Sequence, residues 1–173
     1  MSIFRKLLTL VLLTTILTST VKAEDAIHLV DIQKVISESI VGKAAKNDME
    51  VELKKREGQL TKLQNDLKAM KEELDKQASV LSKDALKAKQ EAFMKKQSDF
   101  QKTFAENREA LGKKNNESIS KIVKEIDAIV SEMAKENNYK LVLEKDQRLV
   151  IYSNGENDIT EEVTKRLNAK KVG

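Results

Sequence analysis

The side chains that could do chemistry are few and scattered. His28 is the only histidine and there is no cysteine, so neither a nucleophile and base pair nor a His/Cys metal cage can be assembled around it. It stands in the stretch Ala26 to Ile32, which reads as a strand, and an ordinary strand residue accounts for it. Glu72, Glu73 and Asp75 are grouped as acid/base carboxylates can be, but lysines interleave with them and a solvated helix face is the simpler account. The sequence has no phosphate-cradling glycine loop and no nucleophile motif, and the sequon at Asn116 to Ser118 falls in a helical pattern, which makes the match accidental. The chain is therefore expected to act by binding, with no catalytic residue, no metal and no cofactor.

Candidates for binding are of two kinds. Val51, Val80 and Met94 are apolar but fall outside the periodic stripe that would bury them, although scattered surface residues of this sort are common. Lys83, Lys87, Lys89, Lys95 and Lys96 crowd one part of the chain and can contact an unfolded polypeptide or anionic lipid, with solvated charge as the simpler account. Residues 43–114 hold 18 Lys/Arg against 13 Asp/Glu, while the rest of the chain from residue 24 nets −4. One part is basic and the other acidic, so long-range attraction of acidic partners falls to the first.

The elements that position these residues begin after a leader. Arg5 and Lys6, an apolar run from Leu7 to Leu17, and small-residue spacing at Val21 and Ala23 describe a secretory signal peptide cut after Ala23. The run is shorter than the roughly 20 residues that cross a bilayer. Removing residues 1–23 takes Arg5, Lys6 and Lys22 from 32 basic side chains and nothing from 28 acidic ones, so the basic pI is mostly the leader's. With no cysteine available for disulfides, stability must come from packing or association. High charge with 3% aromatics and no proline suits long helices or coiled coil.

Periodicity bears this out. Met49, Leu53, Leu60, Leu63, Leu67, Met70, Leu74 and Leu81 are spaced by three, four or seven, as are Leu86, Phe93, Phe100, Phe104 and Leu111, with Gln90, Gln97 and Asn107 in the intervening seam positions. In an antiparallel hairpin, facing residues have a constant sum. Met70 with Phe93, Leu63 with Phe100, Leu60 with Phe104 and Leu53 with Leu111 obey this at 163 or 164, and the same rule sets Arg56 against Asn107, Leu67 against Gln97 and Leu74 against Gln90. The three phenylalanines past the leader, Phe93, Phe100 and Phe104, then lie in the seam. The reversal falls near Leu81, with Ser82 as N-cap of the returning helix. The arm should reach roughly 55 Å.

Past Leu111 the stripe slips by one position and resumes at Ile119, Ile122, Ile126, Ile129 and Met133, which rotates it on the helix and implies a new packing partner. Asn137 and Asn138 end the helix. Tyr139, Leu141 and Leu143 alternate with Lys140, Val142 and Glu144, and Leu149 to Tyr152 is apolar on both faces, so the two runs read as a hairpin. Ala26 to Ile32 is a third strand, followed by a short helix ending at Gly42. Asp158 begins a last helix, with Glu161 completing a capping-box pattern. Three short strands leave exposed edges and too little buried area. A ring of copies sharing one barrel removes the edges, and its expected members are Ile27, Leu29, Val30, Leu141, Val142, Leu143, Leu149, Val150, Ile151 and Tyr152.

The order of elements, "IHLVDIQKVISES", a charged hairpin, then "YKLVLEKDQRLVIYSNGENDITEEVTKRL", resembles the Skp/OmpH family of periplasmic chaperones over essentially the whole mature chain. The resemblance implies an α+β, mostly α fold: a homotrimer with a small β-barrel body and three coiled-coil tentacles around a cavity that holds unfolded outer-membrane proteins without ATP. The corresponding division is residues 24–42 and 115–173 as body and 43–114 as arm, with the tip near 80–83. It implies a periplasmic location, and partners that are unfolded outer-membrane proteins, further copies of the chain and anionic lipid or lipopolysaccharide, with no nucleic acid. A coiled-coil adaptor of the envelope is the competing expectation. An envelope enzyme has least support.

Overall fold

The structure, a computed structural model, describes residues 26–146 and 148–170. The expected signal peptide, residues 1–23, lies outside the described residues. In chain order the elements are β1 (Ile27–Val30), α1 (Ile32–Glu38), α2 (Ile40–Gln77), α3 (Lys83–Asn137), β2 (Leu141–Glu144) and α4 (Thr160–Lys170). The fold is mostly helical, with one small strand pair.

Asp31 caps α1 by accepting from the Lys34 N–H at 2.8 Å. The short helix does not end at Gly42, as its glycine suggested. Ser39 ends α1 and opens α2, its hydroxyl accepting from the Gly42 N–H at 3.1 Å, while Asn168 of α4 accepts from the Ile40 N–H at 2.8 Å. Gly42 lies inside the first turn of α2, where a Cβ would come within 1.6 Å of the Ile36 carbonyl oxygen. Glycine is required there for close approach and stops nothing.

The chain reverses between Gln77 and Lys83, and Ser82 accepts from the Ala85 N–H at 3.3 Å as N-cap of α3. Facing residues follow the expected register, since Arg56 reaches Asn107. The seam is narrower than the apolar spacing suggested. Phe93 and Phe100 are half-buried in it, but Phe104 is 52% exposed, Leu53 is also exposed, and Thr103 and Glu52 turn inward instead. Gln90 and Gln97 are exposed as well, with Lys89 and Lys96 occupying the inward positions. The sequence reading followed apolarity one position too far around the helix, because in a two-helix ribbon long lysine stems can cover the seam as well as a phenylalanine can.

Below the arm, α3 joins the body. Ile122, Ile126, Ile129 and Met133 pack with Val30, Val35, Ile159, Val163 and Leu167 in one apolar cluster, each contributing roughly 1.5–3 kcal/mol of burial. Asn138 caps α3 in the left-handed conformation at φ 56°, a state that asparagine tolerates.

β1 and β2 pair in parallel, Ile27 opposite Leu141 and Leu29 opposite Leu143. The expected hairpin is absent: Leu149 to Tyr152 forms no strand. Asp146 instead accepts from the N–H groups of Arg148, Leu149 and Val150 in a tight turn. A run that is apolar on both faces needs cover on both, and one chain supplies neither. The third position beside β1 is filled by the segment before α4, with Leu29 N–H donating to Asn157 O at 2.9 Å and Ile159 N–H to Leu29 O at 2.8 Å. The capping box does not form either. The Asp158 N–H donates to Gly155 O at 3.2 Å and Glu161 stays exposed.

Candidate functional site

Three surfaces could engage a partner, and each follows from how its element is built. On the arm, the seam is crossed by charge. Arg56 Nε donates to Glu52 Oε1 at 2.7 Å and Nη1 to Asn107 Oδ1 at 2.7 Å, and the hydrogen bond from Arg56 holds the Glu52 carboxyl below its ordinary range. Nearer the tip, Lys89 Nζ lies 2.6 Å from Glu73 and 2.8 Å from Gln77, and Lys96 lies 3.8 Å from Asp66. The Lys89 hydrogen bond likewise lowers the Glu73 carboxyl.

Of the five tip lysines singled out by sequence, Lys89 and Lys96 thus tie the two helices together. Lys83, Lys87 and Lys95 are exposed and stand off the seam. Val51, Val80 and Met94 are exposed as well, Val80 at 77%. These six side chains are spread along the arm and do not converge.

The body surface is more concentrated. Because side chains alternate across a strand, His28, Val30 and Val142 face inward, His28 stacked on Tyr139 with ring centroids 3.7 Å apart. Ile27, Leu29, Leu141 and Leu143 take the other face. Leu29 is shielded there, whereas Ile27, Leu141 and Leu143 are exposed, and the turn adds Leu149, Ile151 at 97% and Tyr152 at 85% exposure. All of these except Leu141, together with Leu29 and half-buried Val150, frame an open depression of about 610 Å³. Of the ten residues expected in a shared barrel, Val30 and Val142 serve this chain's own interior, Leu29 is buried on the outer face, and the other seven look outward or lie at the rim. No strand covers the outer edge of β2 among the described residues.

Beneath this face runs a polar relay. The Asp31 N–H donates to Thr160 Oγ1, the Thr160 hydroxyl donates to Asp158 Oδ1, and Lys145 Nζ donates to Asp158 Oδ2 at 2.7 Å. Burial alone pushes the Asp158 carboxyl up. The hydrogen bonds from Lys145 and Thr160 outweigh burial and hold it below its ordinary range, while Asp158 raises Lys145 in return.

The third surface was missed by sequence reasoning. At the shoulder, where α1, α2 and α3 meet, Ile36, Ala45, Met49 and Ile119 line a cavity of about 340 Å³ with Lys43 and Lys46 at its rim. Its residues are far apart in sequence, and the periodic pattern assigned Met49 and Ile119 to packing. Only the close approach at Gly42 signals that α1 folds back there. Among the described residues no group of three or more His, Cys, Asp or Glu could hold a metal ion, and no helix is long and apolar enough to cross a membrane.

Comparison with known proteins places these surfaces on a familiar frame. The family profile described as Outer membrane protein (OmpH-like) matches residues 26–167. Among solved structures, the chain is similar to one described as an OmpH-like outer membrane chaperone from Caulobacter crescentus CB15, with a TM-score of 0.76 and 18% identity over 83% of this chain and 84% of that one. At that identity the likeness is one of fold. Among curated proteins, none matches.

Proposed function

Because this chain belongs to the outer membrane protein (OmpH-like) family, we propose that it is an ATP-independent periplasmic holdase that shelters unfolded outer-membrane proteins from aggregation. The observation that carries the reading is the contrast between the two ends of the molecule. The body presents bare apolar side chains from Ile27 to Tyr152 around an open strand edge, whereas the arm presents mainly charge. Association of copies through the body covers the first and sets the arms around a common space.

In this reading residues 24–42 and 115–173 form the shared body, three copies close a small barrel, and residues 43–114 of each copy are the arm. Val51, Val80 and Met94 with Lys83, Lys87 and Lys95 offer dispersed, weak contacts, which suit a client with no fixed shape. Holding the unfolded form lowers the concentration free to aggregate without chemistry. The net positive arm draws acidic segments at long range, and salt weakens that draw. Anionic lipid headgroups and lipopolysaccharide are further partners of the same basic surface.

The test is light scattering of an unfolded β-barrel membrane protein diluted from denaturant, with no nucleotide present. Suppression at stoichiometric assembly is expected. Absence of suppression, with tight binding to a folded envelope protein, would replace the holdase with a structural adaptor.

A further inference from the structure

The shoulder cavity is separate from the body face: the two share no lining residue, so covering one does not cover the other. Its apolar walls are Ile36 of α1, Ala45 and Met49 of α2 and Ile119 of α3, all half-buried, with Ser37, Asn115 and Ser118 beside them. Gly42 lets α1 pack close enough to form one side. At about 340 Å³ it sits at the small end of the roughly 300–1,000 Å³ seen for ligand pockets, room for a side chain or two and too little for a folded element. Methionine at its wall adjusts to different shapes.

The rim carries the sign of the partner. Lys43 and Lys46 border the cavity and no acid lines it. Lys46 reaches Glu50 only at 4.0 Å, between largely exposed side chains, a contact of little strength. Lys43 makes no ion pair among the described residues. The two lysines lie three residues apart on α2, and so share one face.

We infer that this cavity is an anchor site for an extended, unfolded polypeptide segment in which one apolar side chain enters the cavity and a carboxylate two residues away on either side meets Lys43 or Lys46. In extended chain, residues two apart point the same way at a spacing of roughly 7 Å, which carries the carboxylates past the mouth of the cavity to its rim. The inference rests on the holdase reading and names the client feature this site selects: acid, spacer, apolar residue, spacer, acid.

The probe is the capped peptide Gly-Glu-Ser-Leu-Ser-Glu-Gly, with a counterpart in which both Glu are Lys, added to the intact assembly carrying methyl-labelled methionine. Saturable movement of the Met49 methyl signal is expected, with Met94 and Met133 still, and about tenfold weaker binding of the lysine peptide. Ala45→Trp fills the cavity and should abolish the response. Lys43→Glu with Lys46→Glu, both surface changes, should reverse the preference between peptides. No Met49 movement up to about 10 mM, equal response to both peptides, tighter binding of decanoate than of peptide, or movement on concentrating the protein alone would each overturn the assignment, the last two in favour of an acyl-chain site and a second copy. If the wild type suppresses aggregation yet Met49 does not respond, the anchor site is wrong and the holdase reading stands. If suppression itself fails, the holdase reading falls first.

Discussion

A 2.7 Å hydrogen bond from the Arg56 guanidinium to the Asn107 amide oxygen joins α2 to α3 at the middle of the arm, and it fixes the register of the hairpin. Asn107 is buried and its Nδ2 has no partner among the described residues. The layer is therefore a locator bought at some cost in stability, as polar seam positions are. Asn107→Leu should cost about 1–2 kcal/mol by leaving Arg56 Nη1 without its acceptor, Glu52 still holding Nε. Adding Arg56→Leu should recover part of that loss, giving a coupling of at least about 0.5 kcal/mol. Amide hydrogen exchange along α2 and α3 reads both; strict additivity would mean that the bond does not set the register.

Gly42→Ala should be far worse than an ordinary helix substitution. The added methyl meets the Ile36 carbonyl at 1.6 Å, backbone that cannot step aside without separating α1 from α2. A loss beyond the roughly 0.5–3 kcal/mol of typical substitutions is expected in denaturant unfolding. A loss under about 1 kcal/mol would show that the junction relaxes freely.

The relay at Asp158 predicts acid sensitivity. Its carboxyl is held below the ordinary 3.8 by Lys145 and Thr160, so its contribution is present above that value and is lost as pH falls through the lowered one. Lys145 is raised above 10.5, so its contribution is present below that value and is lost as pH rises beyond it. Thermal melting from pH 7 toward pH 2 should therefore fall more steeply for the wild type than for Asp158→Asn, which begins lower and has less to lose. Parallel curves would remove the pair from the account of stability.

Ile151→Glu tests the body face cleanly. The side chain is 97% exposed, so the single chain loses almost nothing, within the usual ±0.5 kcal/mol of surface changes. An apolar contact between copies loses much more. A fall in mass in solution with unchanged helix content is the expected result, and an unaltered assembly would place the contact elsewhere.

The tip lysines should separate by role. Lys89→Glu puts like charges beside Glu73 and should fray the end of the hairpin, seen as faster hydrogen exchange near Gln77. Lys87 makes no ion pair across the hairpin among the described residues, and Lys87→Gln, which removes the charge without setting a like charge beside Asp84 and Glu91, should slow client capture at low salt while leaving exchange unchanged. Equal effects on both readouts would merge the two classes.

Much of this architecture was legible in the sequence because apolar spacing and register are one-dimensional quantities. The pairing of Arg56 with Asn107, the Ser82 cap and the rotated stripe at Ile122 to Met133 all follow from counting residues. What counting missed was decided in three dimensions. Phe104 looks like a seam residue by its type, yet the inward angle belongs to Thr103. Gly42 looks like a helix stop, yet its role is set by a carbonyl of another helix. Leu149 to Tyr152 has the composition of a strand and forms none, because a strand is a relation to a neighbour and composition cannot supply the neighbour. The shoulder cavity had no local signature.

One feature of the arm bears on its mechanics. α3 runs unbroken from Lys83 at the turn, through the interior side chains Ile122 to Met133, to Asn137, a rod of roughly 80 Å, whereas α2 stops at the Ser39 joint. A sideways load on the free end is therefore delivered by a single stiff beam to Ile126 and Ile129, with the shorter helix acting as a strut hinged at its foot. A force applied at the tip would register as torque deep inside the protein, far from where it acts.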